Sequence, residues 1–232
     1  MSGNVAPKIV RDGLVLCLDA ANTKSFQVGS VTWNDLSTNK FSGSLLNGAT
    51  FSSLNGGCIV FDGVDDVVSF SGANTLNLLS FTGSGTIDFV YKVNSVPGSD
   101  FRNVWGFTNN LFQYENNGGF MLFVWRYADL TYAGASTGIS QTDLNTYHIT
   151  CTYTTIGSST FKVYKNGVLT GSSVVSKPLI NTTNSLTLGG TPLLFGTQQN
   201  CNIYNIKTYN RELSASEVLQ NYNAVKSRFG LS

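Results

Sequence analysis

Hydrolysis of a sugar bond needs two carboxyl groups held a fixed distance apart, and this chain offers little to build such a pair from. Its three glutamates are Glu115, Glu212 and Glu217. Glu217 follows Ser214 by three residues in a stretch that reads as a helix start, Glu212 lies in the loop before it, and Glu115 stands alone among Asn116, Asn117 and Gly118. The one histidine, His148, falls inside the strand-like run 147–153 and is expected to be a hydrogen-bonded structural residue rather than a general base. No glycine-rich phosphate loop is present. These residues do not point to an enzyme.

Two other constellations carry chemistry. Asp62, Asp65 and Asp66 form an acidic cluster suited to calcium, which takes six to eight oxygens in flexible geometry. No cofactor is required, and calcium is the one these residues allow. Between Phe101 and Tyr132, the side chains of Trp105, Asn109, Asn110, Tyr114, Arg126 and Tyr127 combine aromatic faces for stacking on a sugar with amide and guanidinium groups for its hydroxyls. Trp105 and Tyr114 are the expected platforms, whereas Trp125, in phase with Met121 and Phe123, is expected in the core. Cys17, Cys58, Cys151 and Cys201 are isolated, without a CxxC pair, and are expected as buried, reduced thiols.

The elements that must hold these residues are strands. The chain has 232 residues, 41% of them hydrophobic and only 12% charged, against a usual charged fraction of about 25%. Ser, Thr and Asn together cover the surface with neutral polar groups, and a net charge of +1 leaves no electrostatic footprint for nucleic acid. No apolar run approaches the roughly 20 residues that span a bilayer. The dominant period is two: in TIDFVYKV, Ile87, Phe89, Tyr91 and Val93 alternate with Thr86, Asp88, Val90 and Lys92, which predicts a strand with one buried face. Similar runs recur at 14–18, 58–61, 67–70, 120–125, 147–154, 161–172, 185–190 and 203–209. Asn166-Gly167 predicts a type I′ turn, pairing Phe161 and Val163 with 168–171. Only 214–229 reads as a helix, with Ser214 and Glu217 as a capping box, Leu213 and Val218 as a staple, and Val218, Leu219, Tyr222 and Val225 as its apolar stripe. With four prolines and no linker, a single all-β domain is expected at 13–232, a jelly-roll-like antiparallel sandwich with one short C-terminal helix, preceded by an arm or edge segment at 1–12.

GLVLCLDAAN at 13–22, TWNDLS at 32–37, GGCIVFDGVDDVVSF at 56–70, YHITCTYT with FKVYKNG, and IKTYNRELSASEVLQNYNA at 206–224 occur in one order in a known family. The chain resembles the laminin-G-like, concanavalin A-like lectin/glucanase superfamily, and most of all the stand-alone versions found among tailed-phage structural proteins and bacterial surface proteins. The resemblance implies the fold; function varies across that fold between glycosidases, lectins and structural modules. Its glycosidases carry two Glu and an Asp as ExDxxE on one strand, which this chain lacks. FDGxDD is in that family mainly a turn, with Asp62 and Asp65 bonding nearby amides. Residues 101–132, where the family motifs thin out, read as variable loops free to recognise a ligand. The expected function is a non-enzymatic virion component of a tailed phage, present in many copies, contacting glycans and other virion proteins, and made in the host cytoplasm since 1–10 encode no export signal. The alternatives are a bacterial carbohydrate-binding adhesin and, third, a glycoside hydrolase of the same fold.

Overall fold

The computed structural model describes residues 7–70, 83–95, 102–107, 112–117, 119–126, 131–140, 142–154, 160–174, 186–190 and 198–231, and at 107, 112–117 and 126 the backbone alone. The strands in these segments are β1 (Leu14–Asp19), β2 (Thr32–Trp33), β3 (Gly43–Leu46), β4 (Thr50–Ser52), β5 (Cys58–Asp62), β6 (Val67–Ser69), β7 (Ser84–Val93) and β8 (Arg102–Phe107). They continue as β9 (Phe112–Asn117), β10 (Phe120–Arg126), β11 (Tyr132–Ser140), β12 (Thr146–Thr154), β13 (Thr160–Lys165), β14 (Val168–Val174), β15 (Leu186–Leu188) and β16 (Asn200–Tyr209), followed by helix α1 (Ala215–Phe229). Pairing between them is antiparallel and makes two sheets. One runs β14-β13-β12-β7-β16-β5-β4, with β1 joining the half of β16 that β5 leaves open; the other runs β11-β10-β9-β8-β15-β6-β3-β2. The expected sandwich is what forms.

Inward-facing residues of the two sheets meet in one core. Trp105 of β8 sets its edge against Phe89 of β7 at 5.9 Å between ring centroids, and Trp125 of β10 stacks on Phe161 of β13 at 4.0 Å. Trp33 and Trp125 are fully buried, Trp125 as its phase predicts. All four cysteines are buried and unpaired, and burial pushes the thiols of Cys151 and Cys201 far up.

The Asn166-Gly167 turn has φ of 51° and 79°, both left-handed as a type I′ turn requires. Asn166 fastens it to β12: its Oδ1 accepts from the His148 N–H and its own N–H donates to the His148 carbonyl. Val163 pairs with Gly171 as expected, but a bulge between Val163 and Tyr164 moves the partner of Phe161 out to Ser173.

Two expectations change. β7 is buried on both faces, because α1 lies over the side opposite the core and covers Asp88 and Val90. The described residues of 102–126 form β8, β9 and β10, which pair in turn as a meander within the second sheet rather than free loops. The helix itself forms as read. Ser214 and Glu217 close the capping box, and Leu213 and Val218 bury together. Leu219 departs from the stripe, standing 45% exposed, while Asn221 takes a buried place. Arg211 grips Glu217 with both terminal nitrogens at one end of the helix, and at the other Arg228 reaches Asp19 Oδ1 at 2.7 Å and the carbonyls of Asn55 and Gly57.

Candidate functional site

Of the residues expected at a stacking site, only Trp105 has a described side chain. Trp105 is fully buried, its ring packed against Phe89 and Phe123, so it is a core residue and not a stacking platform. The physical reason is strand register: β8 lies between β15 and β9, and Trp105 faces inward with Leu188 opposite. Tyr114 and Arg126 are placed by their backbones only, Tyr114 paired with Trp105 and Phe123, Arg126 paired with Tyr132. Asn109, Asn110 and Tyr127 lie outside the described residues. The exposed ring that the sequence reading used only as a boundary is Tyr132, 63% accessible at the start of β11.

Asp62, Asp65 and Asp66 do come together, with one potential ligand oxygen from each within 4.8 Å of the others. They are also working parts of a turn. Asp62 Oδ1 accepts from the Val64 N–H at 2.7 Å, Asp66 Oδ2 accepts from the Asp62 N–H at 2.8 Å, and the Asp65 carbonyl accepts from Asn47. Asp66 is buried and its Oδ1 has no hydrogen bond; that oxygen lies 2.9 Å from where a Cβ would stand on Gly48. Burial, and after it the carboxylates of Asp62 and Asp65, raise its carboxyl above the ordinary range, with the Asp62 amide opposing them. A group whose folded value is raised helps the fold while protonated, and the help is lost as pH rises through that value. Asp66→Asn is therefore expected to raise the melting temperature modestly at pH 7.5 and to change it little below about pH 4, where an ordinary carboxylate protonates. A drop in melting temperature at both pH values would show that the ionised carboxylate is needed. A calcium ion at this turn would relieve the same crowding.

His148 is buried where β12 passes under α1, and its Nε2 is 2.9 Å from Asp88 Oδ2. Asp88 holds three further groups together. Lys207 Nζ is 2.6 Å from Oδ1, while Thr150 and Asn221 donate to Oδ2. Asn221 also donates to the Tyr209 hydroxyl and accepts from the Val10 N–H, and Tyr209 donates to the Val10 carbonyl. The network is sealed from solvent, so it binds the N-terminal segment and α1 to the sheet, as a structural histidine site would. The two glutamates with described side chains are engaged as well: Glu212 pairs with Lys162 at 2.8 Å and Glu217 with Arg211.

An open cleft of about 320 Å³ lies where β1 begins. Its construction starts at Asp35 in the TWNDLS stretch. The buried Asp35 carboxylate accepts from the amides of Cys17, Ser37 and Phe41 at 2.8, 2.8 and 2.9 Å, which folds 35–41 against the outer edge of β1. The Ser37 hydroxyl sits between the Val15 carbonyl and Asp35 Oδ2, and Asn39 Nδ2 donates to the same Val15 carbonyl at 2.8 Å. These bonds cover an edge that would otherwise invite another strand. Asn39 and Phe41 line the cleft together with Arg11, Thr38 and Asn210. Gly13, at φ 74°, lets this corner close, since a Cβ there would stand 3.0 Å from Asn210 Oδ1 and from Arg211 Cγ. No single sequence window announces the cleft, because its walls come from both ends of the chain.

With this geometry the protein is an antiparallel, lectin-like sandwich. Residues 62–219 match the Laminin-G-3 family model of the Concanavalin A-like lectin/glucanases superfamily, and the chain belongs to that family. Among solved structures it is similar to the binding domain of Paraclostridial Mosquitocidal Protein 1, with a TM-score of 0.72, 16% identity, and coverage of 94% of this chain and 55% of that one. It is similar to the binding domain of Botulinum Neurotoxin DC in complex with SialylT, at 0.69 and 14%, covering 92% and 52%. It is also similar to the Trypanosoma rangeli sialidase in complex with 2,3-difluorosialic acid, at 0.67 and 14%, covering 98% and 35%. The chain thus spans about half the length of the toxin domains. Comparison with curated protein sequences gives no match.

Proposed function

We propose that the protein is a non-catalytic glycan-binding module that acts in many copies as an attachment and structural component of a phage particle. The observation that carries the glycan reading is the cleft at the start of β1, which Thr38, Asn39, Asn210 and Arg11 line together with the half-buried Phe41. A ring that covers a sugar's apolar face, flanked by groups that bond its hydroxyls, is the chemistry of carbohydrate recognition. Two of the similar structures bear sialyl ligands in their descriptions, which agrees with a fold used for sugars. The particle reading is supported by the family resemblance of the sequence and by a surface rich in Asn, Ser and Thr. The engagement of Glu212 and Glu217 in ion pairs supports a module that binds without cleaving.

A shallow site of this kind binds weakly alone, and copies held on one particle raise avidity by roughly 10² to 10⁴. A multivalent display of the protein is expected to bind a subset of a glycan array, to lose that binding in an Asn39→Ala, Phe41→Ala double variant, and to release no reducing sugar from a polysaccharide panel. A silent array would overturn the glycan reading. Release of sugar that stops in Glu115→Gln would overturn the non-catalytic one. Mass spectrometry of purified particles without this chain would remove the virion role.

A further inference from the structure

Among the described residues Arg11 is an arginine whose guanidinium has neither an ion pair nor a hydrogen bond. Two other arginines are engaged: Arg211 is held by Asp12 and Glu217, and Arg228 by Asp19 and two carbonyls. Arg11 is exposed and lines the cleft, whose lining holds no carboxylate; Asp35 accepts from the amides of Cys17, Ser37 and Phe41, and Asp12, next to Arg11 in the chain, pairs with Arg211. The cleft is therefore neutral and polar except for one planar cation at its mouth. A guanidinium fork matches a carboxylate, making two parallel charge-assisted hydrogen bonds. The volume, about 320 Å³, stands at the small end of the roughly 300 to 1,000 Å³ usual for ligand sites, room for a terminal sugar rather than a long chain.

We infer that the cleft is selective for sugars bearing a carboxylate, uronic or sialic acids, with Arg11 taking the carboxylate. Phe41 lies beneath the apolar face of the ring, and Asn39 Oδ1, whose amide nitrogen is already bound to Val15, accepts from a sugar hydroxyl. This rests on the glycan-binding reading and adds its chemical class. It also sets the salt response. Hydrogen bonding and stacking on neutral sugars change little with ionic strength, whereas a solvent-exposed guanidinium–carboxylate pair is screened.

The test is titration of the full chain, followed by backbone NMR shifts, with galacturonate, galactose and N-acetylneuraminate, in the native protein and in Arg11→Gln. Galacturonate and galactose share a ring and differ at the carboxylate. The expected result is binding of galacturonate at least about tenfold tighter than galactose, the size of one charge-assisted contact. Shifts should centre on 11–15, 38–41 and 210. Arg11→Gln should remove the preference, so that the variant binds galacturonate no more tightly than it binds galactose, and added salt should weaken the native protein's binding of the acid more than that of galactose. N-acetylneuraminate bound more tightly than galacturonate, and lost in Arg11→Gln, would support the inference and assign the source. Equal binding of galacturonate and galactose, unmoved by Arg11→Gln, would overturn the selectivity while leaving a glycan site in place. No shift with any of the three sugars, together with a silent array, would overturn both readings.

Discussion

Asp88→Ala is expected to destabilise the protein by about 3–5 kcal/mol, the cost of removing one partner from a buried ion pair. The loss is a large share of the 5–15 kcal/mol that holds a typical domain together. The reason lies under α1. Lys207 and His148 are both buried against the Asp88 carboxylate, and without it the Lys207 ammonium is left in the interior with only Asn205 Oδ1, 3.0 Å away. Burial alone would push the Asp88 carboxyl up, but His148 and Lys207 outweigh it and hold the group far below the usual carboxylate range. For a depressed carboxyl the stabilisation is fully present above the unfolded value, about 3.9, and is lost as pH falls toward the folded one. Chemical denaturation of the native protein should therefore weaken steeply below about pH 4, and Asp88→Asn should flatten that dependence. A double variant, Asp88→Asn with Lys207→Met, should be more stable than Asp88→Asn alone, since it removes the stranded cation. A loss under 1 kcal/mol, or no recovery in the double variant, would mean that the network carries little of the fold.

Trp105→Ala is expected to cost about 3–5 kcal/mol, the usual range for truncating a buried aromatic. Trp105→Phe should cost less, because Phe89 and Phe123 keep an aromatic neighbour. Whatever fraction of Trp105→Ala stays folded should bind glycan as the native protein does, because the ring faces the core and not the surface. The paired measurement is urea unfolding and array binding on the same preparation. Binding that falls while stability holds would place the indole at a ligand after all.

Trp105 also shows what a sequence conceals. An indole flanked by Asn and Gly residues has the same composition whether it stacks on a sugar or on Phe89, and only the neighbouring strands decide. Strands with large alternating side chains, such as TIDFVYKV and YHITCTYT, declared themselves, and the capping box at Ser214 located the helix. β11, YAGASTGIS, has the same alternation with Ala135, Thr137 and Ile139 inward, but its side chains are too small to give a hydrophobic signal. β8 and β9 carry Asn103, Gln113 and Asn116 in strand positions, so polarity there suggested loops. The second buried face of β7 was invisible for another reason: Asp88 looks solvent-facing until α1 is laid over it. The cleft was least legible of all. TWNDLS was recognisable as a motif, yet Arg11 and Asn210 reach it from opposite ends of the chain.

β16 is the last strand in the sequence and stands near the middle of its sheet, flanked by β7 on one side and by β5 and β1 on the other. During synthesis, β7 is finished at Val93 and then waits for Asn200, roughly 5–20 s at about 5–20 residues per second. Throughout that time three strands present unpaired backbone toward a partner that does not yet exist, the condition that favours aggregation. A ribosome stalling inside this window, or a frameshift ahead of Asn200, leaves a chain that cannot close its first sheet by any local rearrangement. Closure of the first sheet thus waits for residues 200–209.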